Sequence, residues 1–215
     1  LYSIRTLKKP QSRGFFNTFI LDYTDVILNR MLEKKYNLLD PNKPVVFQDG
    51  TEVYKELAKK YKTHKTGFFI LAPSGAGKTH FVKSQKELNW LDGDALWMAT
   101  NAHPDGEWWL EDLDRITEID QRSDVITVEA KKLGFWVVGA SNAFLPPDAI
   151  VIPDWETHKK WIGIRETTNY DGGATSDMLD QVISHRNSIL EWESKGVPKF
   201  ETVEEAANFL AKTNS

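Results

Sequence analysis

The stretch GFFILAPSGAGKTHF, Gly67 to Phe81, runs from four apolar residues into small, glycine-containing ones and then a lysine followed by a threonine. An anion can be held by backbone N–H groups only where no side chain blocks its approach, so this bare turn beside a positive charge reads as a phosphate-binding loop. Residues 72–79, APSGAGKT, match the pattern G-x-x-x-x-G-K-[ST] except that Ala72 replaces the first glycine. The run GFFILA, Gly67 to Ala72, predicts a buried strand, and Lys78 to Leu88 predict a helix, so the loop joins a strand end to a helix start. There the loop residues Ser74, Gly75, Ala76, Gly77, Lys78 and Thr79 would meet the β-phosphate of a nucleoside triphosphate at the positive helix terminus. Lys78 would reach the β- and γ-phosphates, and the Thr79 hydroxyl would ligate Mg2+. ATP, or another nucleoside triphosphate, and Mg2+ are the ligands this stretch predicts.

Downstream, strands and helices alternate. NWLD (89–92), FWVVGA (135–140), AIVIP (149–153) and VPKF (197–200) read as further strands. Between and after them, helices are expected up to about Leu133, over Glu156–Glu166 and Asp177–Glu193, and through TVEEAANFLAK. In the last of these Thr202 and Glu205 have the spacing of a capping box. The alternation predicts an α/β domain over residues 67–215, a P-loop NTPase fold whose five-stranded, mostly parallel sheet carries helices on both faces. Residues 1–66 read as an N-terminal arm and helical appendage. Its first helix would carry the apolar stripe Phe16, Phe19, Ile20, Tyr23, Val26, Ile27 and Met31. A second would follow DPNKP, with Thr51 as its cap candidate. The stripe makes residues 1–66 a candidate surface for a protein partner.

Composition narrows the classes. With 215 residues, 40% hydrophobic and 27% charged, the chain suits one well-buried domain plus an appendage. It has no cysteine, which removes disulfides, thiolate zinc sites and cysteine nucleophiles together and predicts a reducing, cytoplasmic setting. The longest apolar runs are far too short for a membrane span, so no membrane association is expected. The formal charge of −4 does not favour a broad electrostatic grip on nucleic acid. The basic run YKELAKKYKTHK (54–65) reads as the wet face of a helix.

What happens to the bound phosphate is decided further along, at WLDGDALW (90–97). A strand ending in Asp92-Gly93-Asp94 would deliver two carboxylates to the rim that carries the phosphate loop, because ligands on open α/β sheets sit beyond the carboxyl ends of the strands. One could take or orient an acceptor's proton while the other holds Mg2+ through water. GAGKT followed by LDGDAL resembles the small P-loop kinases of the adenylylsulfate kinase and gluconokinase group. It is more distantly similar to nucleoside monophosphate kinases and polynucleotide 5′-kinases. By that resemblance Asp92 and Asp94 jointly inherit contact with the acceptor, with Asp94 favoured, and Asp94 joins Thr79 at the metal. The resemblance also implies a lid over about 166–177, next to TTNYDGGATS, and catalytic arginines at Arg165 and Arg186 beside Lys78. The insertion at about 95–116 would bind the acceptor: a nucleotide, a nucleic-acid 5′ end or a small metabolite. Trp97, Trp108, Trp109 and His103 are candidates to touch it. Two other readings stay open. One is a motor or packaging NTPase using Asp154 and Glu156, although FWVVGAS lacks the acid such enzymes place there. The other is a non-catalytic nucleotide-binding module within a larger assembly.

Overall fold

A computed structural model describes residues 52–100, 112–168 and 173–213. The chain divides into two units between Asp40 and Pro41, and all the described residues belong to the second. The apolar stripe of Phe16 to Met31, the cap candidate Thr51, and His103, Trp108 and Trp109 lie outside the described residues.

The elements run α1 (Val53–Lys60), β1 (Phe68–Leu71), α2 (Lys78–Ser84), β2 (Trp90–Asp92), α3 (Gly93–Ala99), α4 (Leu113–Lys132), β3 (Trp136–Gly139), β4 (Ala149–Val151), α5 (Trp155–Thr168), α6 (Leu179–Ser194), β5 (Lys199–Phe200) and α7 (Val203–Thr213). The five strands form one sheet in the order β2-β3-β1-β4-β5, and every pairing is parallel. Parallel neighbours need long crossovers, and the helices supply them while covering the sheet. Alternate residues of each strand therefore enter two separate cores. Phe69, Leu71, Leu91, Val137 and Ile150 pack with Tyr54 of α1, Leu96 of α3, Ile126 and Ala130 of α4 and Ile189 of α6. Phe68, Ile70, Trp90, Trp136, Val138, Ala149 and Val151 pack with Val82 of α2 and Val203, Ala206, Ala207 and Leu210 of α7. Burial on both sides explains why β1, β3 and β4 read as unbroken apolar runs.

Three local features depart from the sequence expectation, each with a visible cause. Helix α2 stops at Ser84 because Gln85 turns extended and pins the next strand: its side chain bonds the Trp90 carbonyl at 3.0 Å and the Trp90 N–H at 2.8 Å. Helix α3 starts at once after β2, since the Asp92 carboxylate accepts the Asp94 N–H at 3.0 Å as an N-cap. Helix α1 and residues 61–66, assigned by sequence to the appendage, are built into the sheet domain. The Tyr54 hydroxyl donates to the Ile126 carbonyl at 3.1 Å, and the N–H groups of Lys62 and His64 bond the carbonyls of Leu88 and Gly134 at 2.9 and 2.8 Å.

The capping box on α7 forms as expected. Thr202 Oγ1 accepts the Glu205 N–H at 3.2 Å, and Glu205 Oε2 accepts the Thr202 N–H at 3.1 Å. The loop after β3 is tied down by fully buried Asp124 of α4, whose Oδ2 accepts the N–H groups of Ala143, Phe144 and Leu145 at 2.9, 2.6 and 2.9 Å. Among the described residues no helix is long and apolar enough to cross a membrane.

Candidate functional site

Because β1 lies between β3 and β4, the loop that leaves its carboxyl end emerges at the middle of the sheet rim. Gly75 and Gly77 both have positive φ, +82° and +86°. Their surroundings differ. A Cβ on Gly75 would stand 2.7 Å from Ile162 Cγ1 and 3.2 Å from His158 Nε2, so this glycine lets helix α5 approach the loop. A Cβ on Gly77 would meet nothing within 4 Å, so this glycine keeps space open in front of the first turn of α2. Open space at a helix start is what a backbone cradle for an anion would require.

Lys78 is buried, and its ammonium folds back onto the loop, donating to the carbonyls of Ala72 at 3.1 Å and Pro73 at 2.9 Å. Burial pushes its pKa down, the nearby carboxylates of Asp94 and Asp92 push it up, and the Arg165 guanidinium pushes it down. Three charged groups, from β2, α3 and α5, thus act on one ammonium. Asp92 is buried at the end of β2 and does two tasks: Oδ1 caps α3, and Oδ2 accepts the Thr79 hydroxyl at 3.1 Å. Burial and the Asp94 carboxylate push the Asp92 pKa up. Asp94 is exposed on the first turn of α3. The two carboxylates treated jointly by sequence are therefore distinct: Asp92 holds Thr79, and Asp94 is open to solvent.

The two arginines expected at a lid also separate. The Arg165 guanidinium donates to the Ala174 carbonyl, and the Ala174 N–H donates to Ser74 Oγ at 3.1 Å, so Ala174, within the span expected as a lid, rests on the glycine loop. Arg186 donates from Nη2 to the Pro153 carbonyl at 2.8 Å, lies over the Trp155 ring at 5.3 Å, and places Nη1 2.8 Å from His158 Nδ1. His158 in turn sets Nε2 2.8 Å from the Ser74 carbonyl. Arg186 can only donate, so Nδ1 is the acceptor and the proton sits on Nε2. Burial and the Arg186 charge agree with this neutral tautomer, pushing the His158 pKa down to about 4. Helices α6 and α5 are thereby joined to the loop through a three-group chain that sequence reasoning missed. A histidine in ETHKKWIGIRE, followed by two lysines, gives no sign of burial; only the apolar Ile162 four residues on marks its face.

Other groups complete the rim. Asp120 of α4 hydrogen-bonds Ser141, just past β3, and burial and neighbouring Asp124 push its pKa up to about 7. His185 bonds the Ala140 backbone, with its pKa pushed down to about 4 by burial and the Lys78 charge. Trp97 is buried, and its indole N–H donates to Ser123 Oγ at 2.9 Å, so its ring is committed to packing. The two acids of the NTPase reading are engaged elsewhere: Asp154 Oδ2 accepts the Thr157 N–H at 3.0 Å at the start of α5, and Glu156 pairs with Lys159 at 2.7 Å.

No family model, curated protein or solved structure matches this chain.

Proposed function

We propose that this protein has a P-loop NTPase fold and is an ATP-dependent phosphotransferase, moving a γ-phosphoryl group from a nucleoside triphosphate to an acceptor held beside Asp94. The observation that carries this reading is the convergence on one rim of the open Gly77 cradle, the buried Lys78 and the Thr79–Asp92 bond, with solvent-facing Asp94 next to them. A site that only bound nucleotide would have no need of a second, exposed carboxylate there.

The chain's own groups divide the work. Backbone N–H groups from Ser74 to Thr79 bind the β-phosphate, and Lys78 leaves its loop carbonyls to span the β- and γ-phosphates. Arg165, already close enough to depress the Lys78 pKa, supplies positive charge where charge builds on the transferred group. Asp94 accepts the acceptor's proton. The residues fit Mg2+: Thr79 Oγ1 and Asp92 Oδ2 are hard oxygens 3.1 Å apart, with Asp94 adjacent to them. Mg2+ usually takes only one or two carboxylates besides phosphate oxygens and water. When bound, Mg2+ would neutralise charge between the β- and γ-phosphates.

The test is transfer of labelled γ-phosphate to nucleoside monophosphates, 5′-hydroxyl oligonucleotides and small hydroxyl compounds. Lys78→Ala is expected to lower transfer by about 10²–10³-fold and to weaken triphosphate binding, since it deletes a transition-state cation. Asp94→Asn is expected to lower transfer far more than binding. Wild-type rates in both variants would remove the assignment. Phosphate release to water alone, raised by nucleic acid, would instead favour the NTPase reading.

A further inference from the structure

The kinase resemblance places Arg186 over the transferred phosphoryl group, yet its guanidinium is spent on protein. Nη2 donates to the Pro153 carbonyl at 2.8 Å, Nη1 donates to His158 Nδ1 at 2.8 Å, and the planar group lies over the Trp155 ring at 5.3 Å. His158 is fully buried, so a guanidinium that left for a phosphate would strand an imidazole nitrogen away from water, which is costly. Of the two arginines, Arg165 is the one that acts on the Lys78 ammonium.

What Arg186 does hold, at one remove, is backbone. By occupying Nδ1 it keeps the imidazole proton on Nε2, which donates to the Ser74 carbonyl at 2.8 Å. The Ser74–Gly75 peptide is trans, so its C=O and N–H point in opposite directions. Turning the Ser74 carbonyl toward His158 therefore turns the Gly75 N–H away from α5. That N–H has no hydrogen-bond partner among the described residues. On the α5 side Gly75 is closed, since a Cβ there would stand 2.7 Å from Ile162 Cγ1 and 3.2 Å from His158 Nε2.

The two preceding carbonyls are held differently. Lys78 Nζ takes those of Ala72 and Pro73, at 3.1 and 2.9 Å. A lysine that swings out to a triphosphate gives up both, and Pro73 then keeps only the Ala76 N–H at 3.2 Å. The Ser74 carbonyl needs no such release, because its holder sits on α5, behind the loop.

We propose that Arg186 is a positioning residue for nucleotide binding: it acts through His158 on the Ser74–Gly75 peptide, aims the Gly75 N–H at the β-phosphate, and does not touch the transferred group. This rests on the phosphotransferase reading of the glycine loop. Without Arg186 the ring is free to turn, and the amide must be ordered at the moment the anion binds, which lowers affinity. ADP and ATP both carry the β-phosphate, so Arg186 supports both equally. An arginine on the γ-phosphate would favour ATP alone.

The experiment titrates the full chain with Mg·ADP and with the Mg2+ complex of the non-hydrolysable β,γ-imido analogue of ATP. It compares the parent, Arg186→Met, His158→Gln and the double variant, each shown by its melting curve to be folded at the titration temperature. Arg186→Met is expected to raise both Kd values by the same factor, about tenfold. In the His158→Gln background, where the Arg186 contact is already lost, the same substitution is expected to change each Kd by less than about twofold, because the two residues act as one unit. Histidine 15N spectra of the parent supply a readout that needs no variant: the His158 proton is expected on Nε2. A proton on Nδ1, loss of affinity for the ATP analogue alone, equal losses in both backgrounds, or parental Kd values in Arg186→Met would each overturn the inference and leave the phosphotransferase reading standing. No binding of either nucleotide by the parent removes both.

Discussion

Ser74 is the residue on which the loop's surroundings converge. Its hydroxyl takes the Ala174 N–H, its carbonyl takes His158, and its neighbour Gly75 is crowded by Ile162, so one side of the loop is packed against protein. The Gly77 side is open. The two glycines should therefore fail differently. In each, alanine adds about 1–2 kcal/mol of left-handed backbone strain. Gly75→Ala also drives a methyl into α5 and is expected to lower the melting temperature well beyond that strain. Gly77→Ala meets no neighbour and is expected to melt close to the strain-only value, yet to bind triphosphate weakly, because its methyl occupies the anion's approach. Melting curves paired with nucleotide titrations separate the two; equal loss of binding and stability in both would contradict the division.

At the scale of elements, side chains of α5 and α6 tie these helices to the loop that follows β1. Arg186 and His158 form the link, with Trp155 stacked beneath the guanidinium and edge-on to the imidazole at 6.2 Å. A small separate core of Ile162, Ala174 and Val182 holds the same two helices together. His158→Phe would leave the Ser74 carbonyl and the Arg186 donor without partners and should cost roughly 2–4 kcal/mol in urea unfolding, while raising KM for the triphosphate. His158→Gln can still donate to Ser74 and is expected to recover most of the KM but not the Arg186 contact. A phenylalanine variant with parental stability and KM would show that the chain is incidental.

For the whole molecule, the same burial that builds the rim sets opposing pH dependences. His158 and His185, with pKa values pushed down to about 4, are charged only in the unfolded chain between about pH 4 and 6.5; there the unfolded state binds more protons, so their contribution is lost as pH falls. Asp120 and Asp124, pushed up to about 7 and 6, bind protons in the native state where the unfolded chain has released them, so their contribution is lost as pH rises through those values. Single variants should expose each half. Asp120→Asn is expected to gain stability relative to the parent as pH rises from 4 to 8, and the parent's advantage over His158→Gln to shrink as pH falls from 6.5 to 4. Unfolding curves across that range test both, and pH-independent differences would contradict the assignments.

The sequence alone determined the alternation of elements, the parallel sheet, the glycine loop between strand and helix and the α7 capping box, because each depends on residues near in the chain: apolar runs, turn glycines, cap spacing. It also brought out Asp92 and Asp94, through their place at a strand end. Tertiary structure alone decided which of the two carboxylates holds Thr79, that Arg186 grips a histidine, that Trp97 is packed away and that α1 belongs to the sheet domain. Those outcomes depend on contacts between residues far apart in the chain, such as Ser74 with His158 and Tyr54 with Ile126. No local pattern records such a contact, because a side chain's burial and partners are set by whichever distant element the fold brings against it.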